Sequence, residues 1–76
     1  MPTSYSIEEK MLLVKIGKRI RKLRLDAGFS QEKLAFASAL DRTYIGSVER
    51  GERNISVINL HKISIALSID SFELLK

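Results

Sequence analysis

The feature that most constrains this chain is its punctuation. Ser6, Ser30, Asp41 and Ser56 each stand before a stretch of helical pattern, dividing 76 residues into short lengths. Side chains of this kind accept backbone N–H groups that the first turn of a helix leaves unpaired. Ser6 with Glu9 three residues on is a capping-box pattern, which starts a helix near Ile7. Gly28 and Gly51 stand where helices must stop, because glycine takes the left-handed cap at little cost. Asp70 or Ser71 is placed to cap a last short helix holding Phe72 and Leu75. Four glycines, one proline and little β-branched alternation leave no room for a sheet. The pattern predicts a single all-α domain over residues 1–76, compact and built of five short helices.

Apolar spacing says which sides face inward. Leu12, Leu13, Ile16, Ile20 and Leu23 form one stripe at three- and four-residue steps. The second helix offers Leu34 and Ala35, with Ala37 or Ser38 beside them, and the third offers Ile45 and Val48. In the fourth, Val57, Leu60, Ile63, Ala66 and Leu67 are expected to point inward. A chain this short supports only a small core.

Composition closes off several chemistries. Cysteine is absent and histidine occurs once, at His61, so neither a thiol nucleophile nor a histidine-based metal site is expected. No nucleophile–base pair or phosphate-cradling glycine loop is present, so the chain reads as a non-enzyme without metal, cofactor or small-molecule ligand. The apolar run Met11 to Val14 is too short for a membrane span, and a cytoplasmic location is expected. The net charge is +4, and residues 1–54 carry all of it, with 11 Lys/Arg against 7 Asp/Glu. Residues 55–76 hold two of each sign and 12 apolar residues. A basic part beside a neutral, oily part suggests anion contact in one and self-association in the other.

Residues 30–50 carry the strongest signal, two short helices joined by a tight turn. Around the third helix, 100° per residue places Thr43, Gly46, Ser47 and Arg50 opposite the Ile45–Val48 stripe, with Arg42 and Tyr44 flanking. A small polar and cationic outer face on a docked helix suits the major groove of double-stranded DNA. Arg42 is the best base reader, since a guanidinium fork matches guanine O6 and N7. Thr43 offers a hydroxyl and a methyl, Tyr44 a phenol, and Gly46 is expected to let the backbone approach the duplex. Gln31 at the start of the second helix, and Arg50, Arg53 and Asn54 after the third, are placed for phosphates.

Six of the ten residues from Lys15 to Arg24 are basic, but they wrap three sides of a helix and cannot all face one duplex. Docking of this helix on a membrane is disfavoured, because its apolar stripe is needed for the core and bears no aromatic residue. Arg24 and Glu49 each adjoin an apolar stripe and are expected to form a partly buried ion pair.

The span Ile20 to Leu67 resembles the lambda-repressor-like (Cro/Xre-type) helix-turn-helix family. The matching runs are IRKLR at 20–24, GFSQEKLA at 28–35, YIGSVERG at 44–51 and LHKISIAL at 60–67. More narrowly, LDRTYIGSVERGERN at 40–54 resembles the controller proteins of bacterial restriction–modification systems. The resemblance implies a homodimer that binds a near-palindromic operator and regulates its own gene and an endonuclease gene, with RNA polymerase a candidate partner. It implies base or adjacent contacts from Arg42, Thr43 and Tyr44, and DNA contacts, mostly to phosphate, from Gln31, Ser47, Arg53 and Asn54. Arg24–Glu49 would be the family's structural ion pair. Three residues depart from the family pattern. Ala39 replaces a turn glycine at a cost of roughly 1 kcal/mol, Ser68 replaces another glycine, and Ser64 stands where alanine is common.

Ile65, Ile69, Phe72, Leu74 and Leu75 exceed what so small a core can absorb. A two-fold interface over about residues 57–76, built on Ile65, Ile69, Phe72 and Leu75, accounts for them. Other regulators of the same fold, such as a phage repressor or an antitoxin, and a protein-interaction module of that fold, are the alternative readings.

Overall fold

Ser6 opens the fold as its spacing to Glu9 predicts. Its Oγ accepts from the Glu9 amide at 3.0 Å, and its own amide donates to Glu9 Oε1 at 2.8 Å. The computed structural model describes residues 4–76. From this cap α1 runs Ile7–Asp26, followed by α2 at Gln31–Ser38, α3 at Arg42–Glu49 and α4 at Val57–Ala66. The fifth element is a correction to the sequence reading. Residues Ser71–Leu74 form one turn of 3-10 helix, capped by Asp70, whose carboxylate accepts from the Phe72 amide. Four residues allow no α-helical hydrogen-bond ladder, and tighter i→i+3 bonding takes its place.

The ends of the helices follow local chemistry. Gly28 stops α1 at φ +75°, and Phe29 N–H closes the motif on the Arg24 carbonyl at 3.0 Å. Ser30 and Ser56 each accept an amide hydrogen from the third residue of the helix they precede, Lys33 and Asn59. Asp41 occupies the cap position of α3 in extended geometry, but its side chain makes no capping bond. Between α2 and α3, Ala39 sits in the left-handed region at φ 57°, and Leu40 N–H reaches back to the Ala35 carbonyl at 2.9 Å. Ser68 adopts the same conformation after α4.

The core is small and continuous: Ile16 and Ile20 from α1, Leu34 and Ala35 from α2, Ile45 and Val48 from α3, Leu60, Ile63 and Leu67 around α4, and Leu74. Leu74 is 1% exposed, so it belongs to this core and not to the surplus apolar set. Val57 is 80% exposed, because α4 begins outside the core. The first two turns of α1 also project beyond it, leaving Ile7, Met11 and Leu12 on the surface.

Gly17 allows α1 and α3 to cross closely. A methyl group there would collide with the Val48 carbonyl oxygen and lie 2.6 Å from that of Glu49. Both obstacles are backbone, so neither can swing aside. Among the described residues no helix is long and apolar enough to cross a membrane.

Candidate nucleic-acid interface

Helix α3 is held from beneath by Ile45 and Val48, both buried against α1 and α2. Its C-terminal end is fixed by Arg24. Arg24 Nε donates to Glu49 Oε2 at 2.6 Å and Nη2 to Oε1 at 3.0 Å, with side-chain exposures of 7% and 3%. The same guanidinium donates to the Phe29 carbonyl at 2.8 Å. One side chain therefore joins α1, the start of the helix-turn-helix and its last helical residue. Bidentate, charge-assisted pairs of this kind fix orientation as well as position.

On the outer side, Arg42 and Thr43 are exposed on the first turn of α3. Tyr44 is half-buried; its hydroxyl accepts from Asn59 Nδ2 at 3.1 Å, and the Arg53 guanidinium lies over its ring, 5.4 Å from the centroid. Cation–π contact at that range orders both groups.

Two other positions on α3 differ from the expected outer face. Ser47 is 6% exposed and donates to the Tyr44 carbonyl at 2.8 Å. Gly46 is buried too, covered by the ends of Arg50 and Gln31. An ideal rotation about an isolated helix assigns both outward, but the ends of Arg50 and Gln31 close over Gly46, and Ser47 is buried in the folded domain.

Gln31, expected at a phosphate, donates its amide to Glu49 Oε1 at 3.1 Å and so extends the ion pair to the edge of the interface. Arg50 is exposed but held by Glu52, with hydrogen bonds of 3.0 and 3.1 Å. Those bonds hold the Glu52 carboxyl below the usual carboxylate range and raise the Arg50 pKa. Arg53 and Asn54 are exposed in the loop that follows.

The basic run of α1 divides among separate tasks. Arg19 donates to the Glu73 carbonyl at 2.9 Å, Lys22 pairs with Asp26 at 2.9 Å, and Arg24 is buried. Lys15, Lys18 and Arg21 remain exposed on α1. Among the described residues no cluster of histidine, aspartate or glutamate could hold a metal ion. No motif or spacing in the sequence marks Asn59, Gly17 or Glu52. Asn59 lies 15 residues from its partner Tyr44, and helical periodicity carries no information over that distance.

Comparison with known proteins agrees with this geometry. A helix-turn-helix family profile matches residues 20–74. Control protein C.BamHI of Bacillus amyloliquefaciens is 50% identical over 60 residues, 78% of this chain and 74% of that one. The crystal structure of the restriction–modification controller protein C.AhdI from Aeromonas hydrophila matches with a TM-score of 0.81 and 56% identity, over 82% of this chain and 94% of that one. A controller protein studied through substitutions, C.Esp1396I, has a variant structure matching at TM-score 0.78 and 39% identity over 93% of each chain. Its solved variants replace a consecutive arginine, threonine and tyrosine, and an arginine eleven positions after the first. Matched over most of its length by that profile and by these proteins, the chain belongs to the Cro/Xre-type helix-turn-helix family, within the branch formed by restriction–modification controller proteins.

Proposed function

We propose that this chain is a sequence-specific DNA-binding transcriptional regulator, the controller of a restriction–modification system. The observation that carries this reading is the anchored first turn of α3, which presents Arg42 and Thr43 to solvent beside Tyr44 and Arg53. Arg42-Thr43-Tyr44 is the chain's only Arg-Thr-Tyr run, and Arg53 lies eleven positions after Arg42. The residues substituted in C.Esp1396I have the same identities at the same spacing. Arg42 and Thr43 read base edges and Tyr44 contacts a base or its adjoining backbone. Arg53 and Asn54 approach phosphates directly. Arg50 does so once it leaves Glu52, and Gln31 once it turns from Glu49. Ser47 acts from beneath, holding the first turn of α3 through the Tyr44 carbonyl.

Binding as a homodimer follows from the oily C-terminal part. Ile65 and Phe72 are 63% and 72% exposed, with Leu75 exposed and Ile69 half-buried near them in sequence. A two-fold pair through these residues sets two recognition helices roughly 34 Å apart, one turn of duplex, and so requires paired half-sites. Activation of a neighbouring gene then requires the bound dimer to meet RNA polymerase in the cytoplasm.

The test is selection of binding sites from random duplex DNA by the purified chain. Recovered sites should carry two inverted half-sites, with affinity falling steeply as salt rises. Arg42→Ala should loosen one base position per half-site, at about 1–3 kcal/mol. Equal affinity for selected and random duplexes would overturn the reading and favour a protein-interaction module.

A further inference from the structure

Tyr44 and Asn59 form a direct side-chain hydrogen bond between α3 and α4. A phenol has one O–H to donate and lone pairs to accept, and the partner decides which is used. Here Asn59 Nδ2 donates to the Tyr44 oxygen at 3.1 Å. Among the described residues no side chain or carbonyl accepts the Tyr44 proton, which this bond leaves available to donate. The Arg53 guanidinium over the ring restrains the plane of the phenol. Asn59 is itself fixed, since its backbone amide caps onto Ser56 Oγ at 3.1 Å in the first turn of α4.

We infer that Asn59 is a positioning residue that sets the hydrogen-bonding polarity of Tyr44, reserving the phenolic proton for an acceptor on the DNA. That acceptor is a guanine or thymine oxygen, a purine N7 or a phosphate oxygen; each accepts and none donates. The inference rests on the reading of Tyr44 as a DNA contact and adds the direction of its hydrogen bond. A role in packing alone predicts that loss of the Asn59 side chain is the worst change. A role in polarity predicts that reversing the partner's chemistry is worse than removing it. Aspartate at this position can only accept when ionised, so it draws the phenolic proton to itself.

The experiment measures binding to the selected operator and to scrambled duplex at one salt concentration, for Tyr44→Phe, Asn59→Ala, Asn59→Asp and the double variant Tyr44→Phe/Asn59→Asp. Circular dichroism and a thermal melt establish that each variant is folded. Tyr44→Phe should weaken operator binding roughly three- to tenfold, the loss of one hydrogen bond. Asn59→Ala should stay within about twofold of the parent, because the proton stays free. Asn59→Asp should lose at least as much as Tyr44→Phe, and most of that loss should vanish when tyrosine is already phenylalanine. The part that persists in the double variant is repulsion between the new carboxylate and DNA.

A base acceptor appears as a loss confined to the operator, and a phosphate acceptor as an equal loss on both duplexes. The inference is overturned if Asn59→Ala costs as much as Asn59→Asp, or if Asn59→Asp costs the same in both backgrounds. If Tyr44→Phe binds like the parent, the assignment of Tyr44 to the DNA contact fails, a result distinct from either.

Discussion

Removing Arg24 should unfold this protein at a temperature where the parent is intact. In Arg24→Ala the Glu49 carboxylate keeps a single side-chain donor, Gln31 at 3.1 Å, in place of the bidentate contacts at 2.6 and 3.0 Å. The carboxylate stays enclosed, since its side chain is 3% exposed. The Phe29 carbonyl, which leads into the helix-turn-helix, loses its Arg24 donor as well. Breaking a buried pair from one side costs about 3–5 kcal/mol, because the surviving charge is neither hydrated nor paired. At about 0.05–0.15 kcal/mol per residue, a domain of this length has roughly 4–11 kcal/mol in total. The variant should therefore lose about a quarter or more of its stability, and its melting temperature should fall by at least about 12 °C.

Urea unfolding followed by circular dichroism measures this. Parent and variant must be compared at one protein concentration, since dimer formation contributes to apparent stability. A loss below about 1 kcal/mol would refute the argument. The companion variant Arg24→Met/Glu49→Leu separates charge from packing. Replacing both partners removes the stranded charge and should recover at least half of the loss. A double variant no more stable than the poorer single one would mean that packing, not electrostatics, holds the crossing.

Gly17→Ala should destabilise by at least about 2 kcal/mol in urea unfolding despite alanine's better helix propensity, because the new methyl meets the backbone of α3. A neutral result would show that α1 and α3 can separate without cost. Glu52→Gln releases Arg50 from its exposed partner, so affinity for any duplex should rise and the salt dependence should steepen by about one phosphate contact. An unchanged salt slope would mean that Arg50 never reaches DNA. Ile65→Asp and Phe72→Asp should give folded monomers in sedimentation with much weaker operator binding. A variant that stays dimeric places the interface elsewhere.

The helix boundaries were legible because their signals are local. Ser6, Ser30 and Ser56 each make the capping bond that their spacing predicts, and Gly28 and Gly51 end α1 and α3 with positive φ. Ala39, a departure from the family's turn glycine, adopts the left-handed turn that glycine usually supplies. A face assigned from one helix alone is less secure, because the neighbouring elements decide what is covered. Ser47 and Gly46 rotate outward on an isolated α3, yet both are buried, Gly46 beneath the ends of Arg50 and Gln31. Val57 fits the apolar period of α4 but lies before the point where that helix meets the core, and Leu74, which composition alone groups with the surplus apolar residues, fills the core.

By itself, then, the sequence determined the class of the fold, the lengths of the helices and the residue types offered by the recognition helix. Those properties depend on interactions within a few residues, where capping and periodicity operate. Tertiary structure alone decided that Gly17 permits the α1–α3 crossing, that Gln31 faces Glu49 and that Asn59 reaches Tyr44. These contacts join residues 15 to 32 positions apart, so they exist only once packing fixes the angles between helices.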